Sequence, residues 1–310
     1  MKCSAFGYED SGGRLRRVEV AISPDQYAKV SRAQETIITG LQFEEKLNLL
    51  LENHVEWEAT LLTLAQRYVV WPSRRHDEAM DERLLLDRRL VNLLTSCRLY
   101  LDQSDHTLSS FFGSPSAQGE LIDRRRSSFY DTKFGYRFME AIRNHIQHRA
   151  LPISEIKYQH SAGAPPHIER VEMTVIPCVN IEDLKKDAKF KRQLIDELVD
   201  GAPTFDLRGP IREYIACIVE LHDEMRVLLD PVLECAVSVY KKARLDFSTI
   251  EGVAVNFPEL MRIDDELPAH PIEETPLSAG PIDRYEVLRK RQTGAKTLTR
   301  IFASNGLREP

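Results

Sequence analysis

The sequence predicts a mainly α fold, an antiparallel bundle of long helices with a small β-hairpin or sheet inserted before the last core helix. Two observations carry this. Apolar residues keep the 3.6-residue spacing of buried helix faces over most of the chain, and the period changes to two chiefly between about residues 151 and 180. At 310 residues, 42% hydrophobic and 29% charged, the chain can bury a large core. The expected organisation is one helical-bundle domain over 1–263 with the β insertion at about 151–180. A Pro-rich acidic linker or arm over 264–282 and a basic helical tail over 283–310 follow.

Taken in order, Arg14 to Ile22 ends in alternation (Val18, Val20, Ile22), a short strand. Ser23-Pro24-Asp25 reads as an N-cap with proline in the first turn, opening a modest helix. From about Leu41 to Val70, Leu47, Leu50, Leu51, Leu61, Leu62 and Ala65 hold helical spacing until Trp71-Pro72-Ser73. A second long helix spans about Asp77 to Phe112 on a stripe of Leu86, Leu90, Leu94, Cys97, Leu101 and Leu108, and Gly113-Ser114-Pro115 breaks it. Ser116 to Arg149 reads as two helices meeting near Asp131, which is placed to be the N-cap of the second.

Beyond Pro152 the strand-like runs 153–160 and 168–176, joined by Ser161-Ala-Gly-Ala-Pro-Pro166, predict a β-hairpin. A charged helical piece covers Ile181 to Val199. Gly209-Pro210 then starts the longest periodic run, from Ile211 to Tyr240, which Pro231 should kink or divide. Gly252 to Phe257 is a further strand candidate, a partner for the hairpin. From Asp264 the prolines Pro268, Pro271, Pro276 and Pro281 indicate extended chain.

No run of about 18 apolar residues predicts a membrane span, and MKCSAFGYEDSGG has no apolar secretory core, so the expected location is cytoplasmic. The five cysteines form no CxxC pair and read as reduced, mostly buried thiols. Net charge is −6, against a protein that coats nucleic acid along its length. Yet seven basic residues stand against three acidic ones between Leu121 and Arg149, a net of +4 that would suit an anionic ligand.

That basic island contains Tyr136 to Pro152, YRFMEAIRNHIQHRALP. Phe134, Phe138, Ala141, Ile142 and Ile146 make one apolar face of an amphipathic helix. Glu140, Arg143, Asn144, Gln147 and His148 fall on the polar side, while His145 lies within the apolar face and reads as a satisfied core histidine. Arg143 and His148 are about 7.5 Å apart along the axis and about 140° apart around it, bordering a single polar face. Asn144 lies one turn before His148.

Metal-free RNA cleavage needs groups of these kinds. The 2′-hydroxyl attacks the adjacent phosphate, a base takes its proton, a cation stabilises the phosphorane and an acid protonates the leaving 5′-oxygen. Histidine titrates near neutrality, and arginine presents a planar fork to phosphate oxygens. His145 and His148 stand at i, i+3 with no second pair of matching spacing, so neither a metal nor a cofactor is expected.

Arg143-Asn144-x-x-x-His148, near the end of a helix, resembles the R-x(4–6)-H motif of the HEPN superfamily, in which a polar residue commonly follows the arginine. The resemblance covers one helix and implies a helical bundle. It also implies metal-independent endoribonuclease activity in a bacterial defence or toxin–antitoxin role, and a homodimer that brings two motifs into one cleft. It makes RNA the substrate and leaves room for an antitoxin or defence-system partner. By that resemblance Arg143 would bind phosphate in the transition state, His148 would be the acid/base and Asn144 would support them. Glu140 is added here on its spacing, as a residue that could orient the arginine. Some members carry a tyrosine two residues after the histidine, where this chain has Ala150. The alternative expectation is a non-catalytic module of the same shape that binds RNA or a nucleotide, or mediates dimer or partner assembly.

Overall fold

A computed structural model describes residues 2–10, 14–72, 75–162, 171–198, 202–263 and 271–292. In chain order the elements are β1 (Lys2–Asp10), β2 (Leu15–Ile22), α1 (Pro24–Val70), α2 (His76–Phe112), α3 (Ala117–Thr132) and α4 (Phe134–His148). Next come β3 (Ile153–Ala162), β4 (Val171–Asn180), α5 (Ile181–Lys185), α6 (Arg192–Asp196), β5 (Thr204–Asp206) and α7 (Arg208–Asp246). The last are β6 (Thr249–Ile250), β7 (Val253–Ala254), β8 (Asn256–Ile263), β9 (Pro271–Pro276) and α8 (Gly280–Arg291). The fold is mainly α with small antiparallel sheets, as the periodicity predicts.

Contacts divide the chain into two compact units. One holds residues 2–45, 110–113 and 225–292, the other residues 46–109 and 114–224. The first is built on a four-stranded antiparallel sheet ordered β2-β1-β8-β9. Its core sets Ala5 and Leu260 against Tyr27, Val30 and Ile37 of α1 and Tyr240 and Phe247 of α7. The aromatic hydroxyls are satisfied at the sheet edge: Tyr240 donates to the Pro276 carbonyl (2.8 Å), and the Tyr27 hydroxyl lies 3.2 Å from Thr275 Oγ1.

Several boundaries differ from expectation, each for a packing reason. α1 is one helix of 47 residues, because Gly40 does not break it. A Cβ there would collide with Leu233, so the glycine permits the close approach of α7. α7 also runs unbroken through Pro231, which sits on an exposed face. The strand expected at Gly252–Phe257 does not join the hairpin. The chain there makes β7 and enters β8, which pairs with β1 and β9. Within the expected extended arm, Pro271–Pro276 is the edge strand β9, an acceptable place for proline because one side of an edge needs no N–H donor. Residues 264–270 of that arm and 293–310 of the expected tail lie outside the described residues.

The second unit holds most of the helical residues. Arg89 bonds Glu56 and Lys46 Nζ approaches Thr107 Oγ1 (3.4 Å), so α1 and α2 run antiparallel. Arg212 of α7 grips Glu58 of α1 with paired bonds of 2.8 and 2.7 Å. Trp57, Leu90, Cys97, Phe138, Ile142 and Ile215 are among its fully buried side chains. The two predicted hairpin strands are present as the antiparallel pair β3–β4, extended by β5, while residues 163–170, with most of the predicted turn, lie outside the described residues. It is pinned to α2 by Ile153 N–H donating to Asp87 (3.1 Å) and by Tyr158 donating to Glu82 (2.6 Å). Cys3, Cys97, Cys178 and Cys217 are buried free thiols and Cys235 is exposed; burial pushes Cys217 up to about 12. Among the described residues no helix is long and apolar enough to cross a membrane.

Candidate functional site

The break between α3 and α4 comes at Lys133, whose extended backbone (φ −109°, ψ 108°) ends one helix and begins the next. Asp131 is not the N-cap that its position suggests; it is the penultimate residue of α3. Its carbonyl, and that of Tyr130, accept from Arg137 Nη1 at 2.9 and 3.1 Å. An arginine one turn into α4 therefore satisfies the orphan carbonyls at the end of α3. The start of α4 is held against α7 by Gly135. Its N–H donates to Glu213 Oε2 (2.6 Å), and a Cβ there would come within 2.8 Å of the Pro210 carbonyl.

α4 buries Gly135, Tyr136, Phe138, Met139, Ile142 and His145. Its polar side, Glu140 to His148, is set by this burial, and one set of hydrogen bonds organises it. Glu140 Oε1 accepts from the buried Tyr214 hydroxyl of α7, and Glu140 Oε2 lies 3.7 Å from Arg143 Nε. Arg143 Nη2 donates to Asn144 Oδ1 (2.7 Å) and Nη1 to Gln147 Oε1 (3.1 Å). The side chains of Arg143 and Glu140 are only 15% and 17% exposed, so this is not a surface ion pair. Arg143 is thus bonded along its own helix.

Glu140, Asn144 and His148 line one cleft of about 150 Å³, and Arg143 stands beside it, outside the lining. The opposite wall comes from the segment joining α5 and α6, through Asp187, Lys189, Phe190 and Lys191, with Tyr130 of α3 at one end. His148, Lys189 and Lys191 are exposed. Lys191 Nζ donates to the Tyr130 hydroxyl (2.6 Å) and lies 4.8 Å from the centre of that ring.

The basic island of α3 and α4 is largely neutralised in the fold. Arg125 meets Glu220 and Glu224, Arg126 meets Asp105 and Asp123, Arg137 meets Glu197, and Arg149 meets Asp187. Arg124 and Arg143 lie near Glu120 and Glu140 on their own helices. The positive charge available to the cleft is instead that of Lys189 and Lys191, which have no carboxylate within 4 Å among the described residues. Neither lysine is evident from α4. The available signal was KKDAKFK at 185–191, a basic run around an aromatic within what reads as a plain charged helix.

His145 is buried, as its place on the apolar face implies, and its Nδ1 lies 2.8 Å from Asp187 Oδ2. Burial pushes the Asp187 carboxyl up. Its hydrogen bonds to His145 and the Lys189 N–H, with the charge of Arg149, outweigh that and hold it below the usual carboxylate value. The His145 ring also borders a second cleft of about 560 Å³ lined by Asp87, Arg149 and Lys186. Among the described residues, no set of three or more His, Cys, Asp or Glu side chains is placed to hold a metal ion. Comparisons with protein-family models, curated proteins and solved structures find no match to this chain.

Proposed function

We propose that the chain is a metal-independent endoribonuclease of the HEPN type, working at the cleft between α4 and the α5–α6 segment. The observation that carries this reading is that Glu140, Asn144 and His148 border one cleft with Lys189 and Lys191. His148 supplies proton transfer at its mouth, and the two ammonium groups draw in the phosphate backbone. Arg143 contributes through Asn144 and Gln147, which it holds in place. The reading includes RNA as substrate, a homodimer, and a bacterial defence or toxin–antitoxin setting, with an antitoxin or defence partner to restrain it.

The test is incubation of purified protein with total RNA in excess chelator. Cleavage that His148→Ala abolishes and Arg143→Ala reduces is the expected result. Cleavage unchanged in both variants would refute the assignment. Sedimentation of the same preparation reads the dimer.

A second reading has its own observation. Because Arg143 bonds Asn144 and Gln147 rather than lining the cleft, the same residues suit a non-catalytic module that binds RNA or a nucleotide. In that case RNA is retained without turnover, and Lys191→Ala weakens binding while His148→Ala does not.

A further inference from the structure

The ribonuclease reading assigns one imidazole, whereas 2′-hydroxyl attack needs both a base and an acid. A second histidine, His145, is among the residues lining the same cleft. His145 lies one helical turn before His148, at the spacing that brings side chains of a helix face beside each other. Its side chain is 7% exposed and that of its partner Asp187 is 5% exposed, with 2.8 Å between Nδ1 and Oδ2.

Asp187 is itself held in place from two other directions. The Lys189 N–H donates to its Oδ1 at 3.0 Å, and Arg149 Nε lies 3.3 Å from the same oxygen. A buried carboxylate fixed in this way orients an imidazole and selects its tautomer. With Nδ1–H donating a hydrogen bond to the Asp187 carboxylate, the Nε2 lone pair is left to accept another proton. Phe190 packs edge-on to the ring, with centroids 6.4 Å apart, and fixes its plane. A histidine with only a packing role needs neither a carboxylate anchored twice elsewhere nor a place in a cleft wall.

We propose that His145 is a second catalytic residue of this cleft, the general base, and that Asp187 is its positioning residue. The inference rests on the ribonuclease reading. His145 takes the proton of the 2′-hydroxyl as that oxygen bonds to phosphorus. The phosphorus–O5′ bond breaks, and protonated His148 gives its proton to the leaving oxygen. The products are a 2′,3′-cyclic phosphate and a 5′-hydroxyl, and each histidine ends in the other's starting protonation state. Both proton-transfer groups then come from one chain, and a second copy would serve substrate grip.

The experiment uses the full chain and a short end-labelled RNA in excess chelator, under single turnover. A second substrate carries sulfur in place of the scissile 5′-oxygen, a leaving group that needs no acid. His145→Gln and His148→Ala should each slow cleavage of ordinary RNA by about 100-fold or more. On the sulfur substrate His148→Ala should recover, while His145→Gln stays slow. Because His145 is buried, Asp187→Asn is measured too, with folding followed by circular dichroism. It should lower the maximal single-turnover rate about tenfold or more with the half-saturating protein concentration unchanged, and Asp187→Glu should restore part of the loss.

Wild-type protein that leaves RNA intact would overturn the ribonuclease reading and this inference together. Cleavage lost in His148→Ala but unchanged in folded His145→Gln or Asp187→Asn would overturn the inference alone. So would recovery of His145→Gln on the sulfur substrate.

Discussion

The two units use charge and burial in opposite ways. In the first, polar groups close on one another: Arg226 pairs with Glu44 and Gln292, Arg289 pairs with Asp230 and Tyr285, and the Tyr240 hydroxyl is bonded to backbone. In the second, most arginines are matched by carboxylates, but α4 and the α5–α6 segment leave histidine and lysine side chains around a cleft. Satisfied polar groups specify a fold, while titratable groups left in a cleft are what chemistry requires. On the proposed reading, the second unit carries the chemistry and the first is structural.

The sharpest ways to break this contrast are substitutions confined to one unit. Leu260→Ala, in the core of the first, should cost about 2–5 kcal/mol in a denaturant titration and leave RNA cleavage per folded molecule unchanged. A loss of turnover larger than the loss of folded protein would give the first unit a part in the chemistry. Gly135→Ala should cost about 1–3 kcal/mol, since a Cβ would meet Glu213 and the Pro210 carbonyl. Unlike Leu260→Ala, it should also lower activity by moving α4. An unchanged melting temperature would show that α4 has room to shift.

Asp87 tests the second unit through pH. Burial pushes its carboxyl up to about 6, against the opposing effects of the Ile153 N–H bond and Arg83. A folded value above the unfolded one means stability that is full below about pH 4 and lost as pH rises through about 6. Asp87→Asn, which keeps an acceptor for Ile153, should therefore melt higher than wild type at pH 8 and similarly at pH 4. A parallel pair of curves would contradict the assignment. The smallest stability effect is expected for Tyr240→Phe, about 1 kcal/mol for hydroxyl bonds at the edge of the first sheet, with cleavage unaltered.

Much of this organisation was legible in the sequence, and the exceptions are informative. The start of α2 falls one residue from its expected position and its end coincides, because an apolar stripe and a glycine-proline break are local signals. β1 was missed because Cys3 to Gly7 are all buried, which erases alternation, and because its second partner, β8, lies some 250 residues away. Asp131 misled because aspartate signals a cap when read locally, but Arg137 decides its role. At the site, Glu140, Asn144 and His148 were legible because one helix carries them. Asp187, Lys189 and Lys191 were not, since only folding brings that segment opposite α4. The apparent basic island misled similarly, because its neutralising carboxylates come largely from other elements.

The central claim, RNA cleavage at the α4 cleft, is tested most directly by the ends of the RNA products. Wild-type protein in chelator should generate 2′,3′-cyclic phosphate and 5′-hydroxyl ends, and His148→Ala, folded and still binding RNA, should generate them at least about 100-fold more slowly. Intact RNA with wild-type protein, or the same ends at the same rate from His148→Ala, would contradict it.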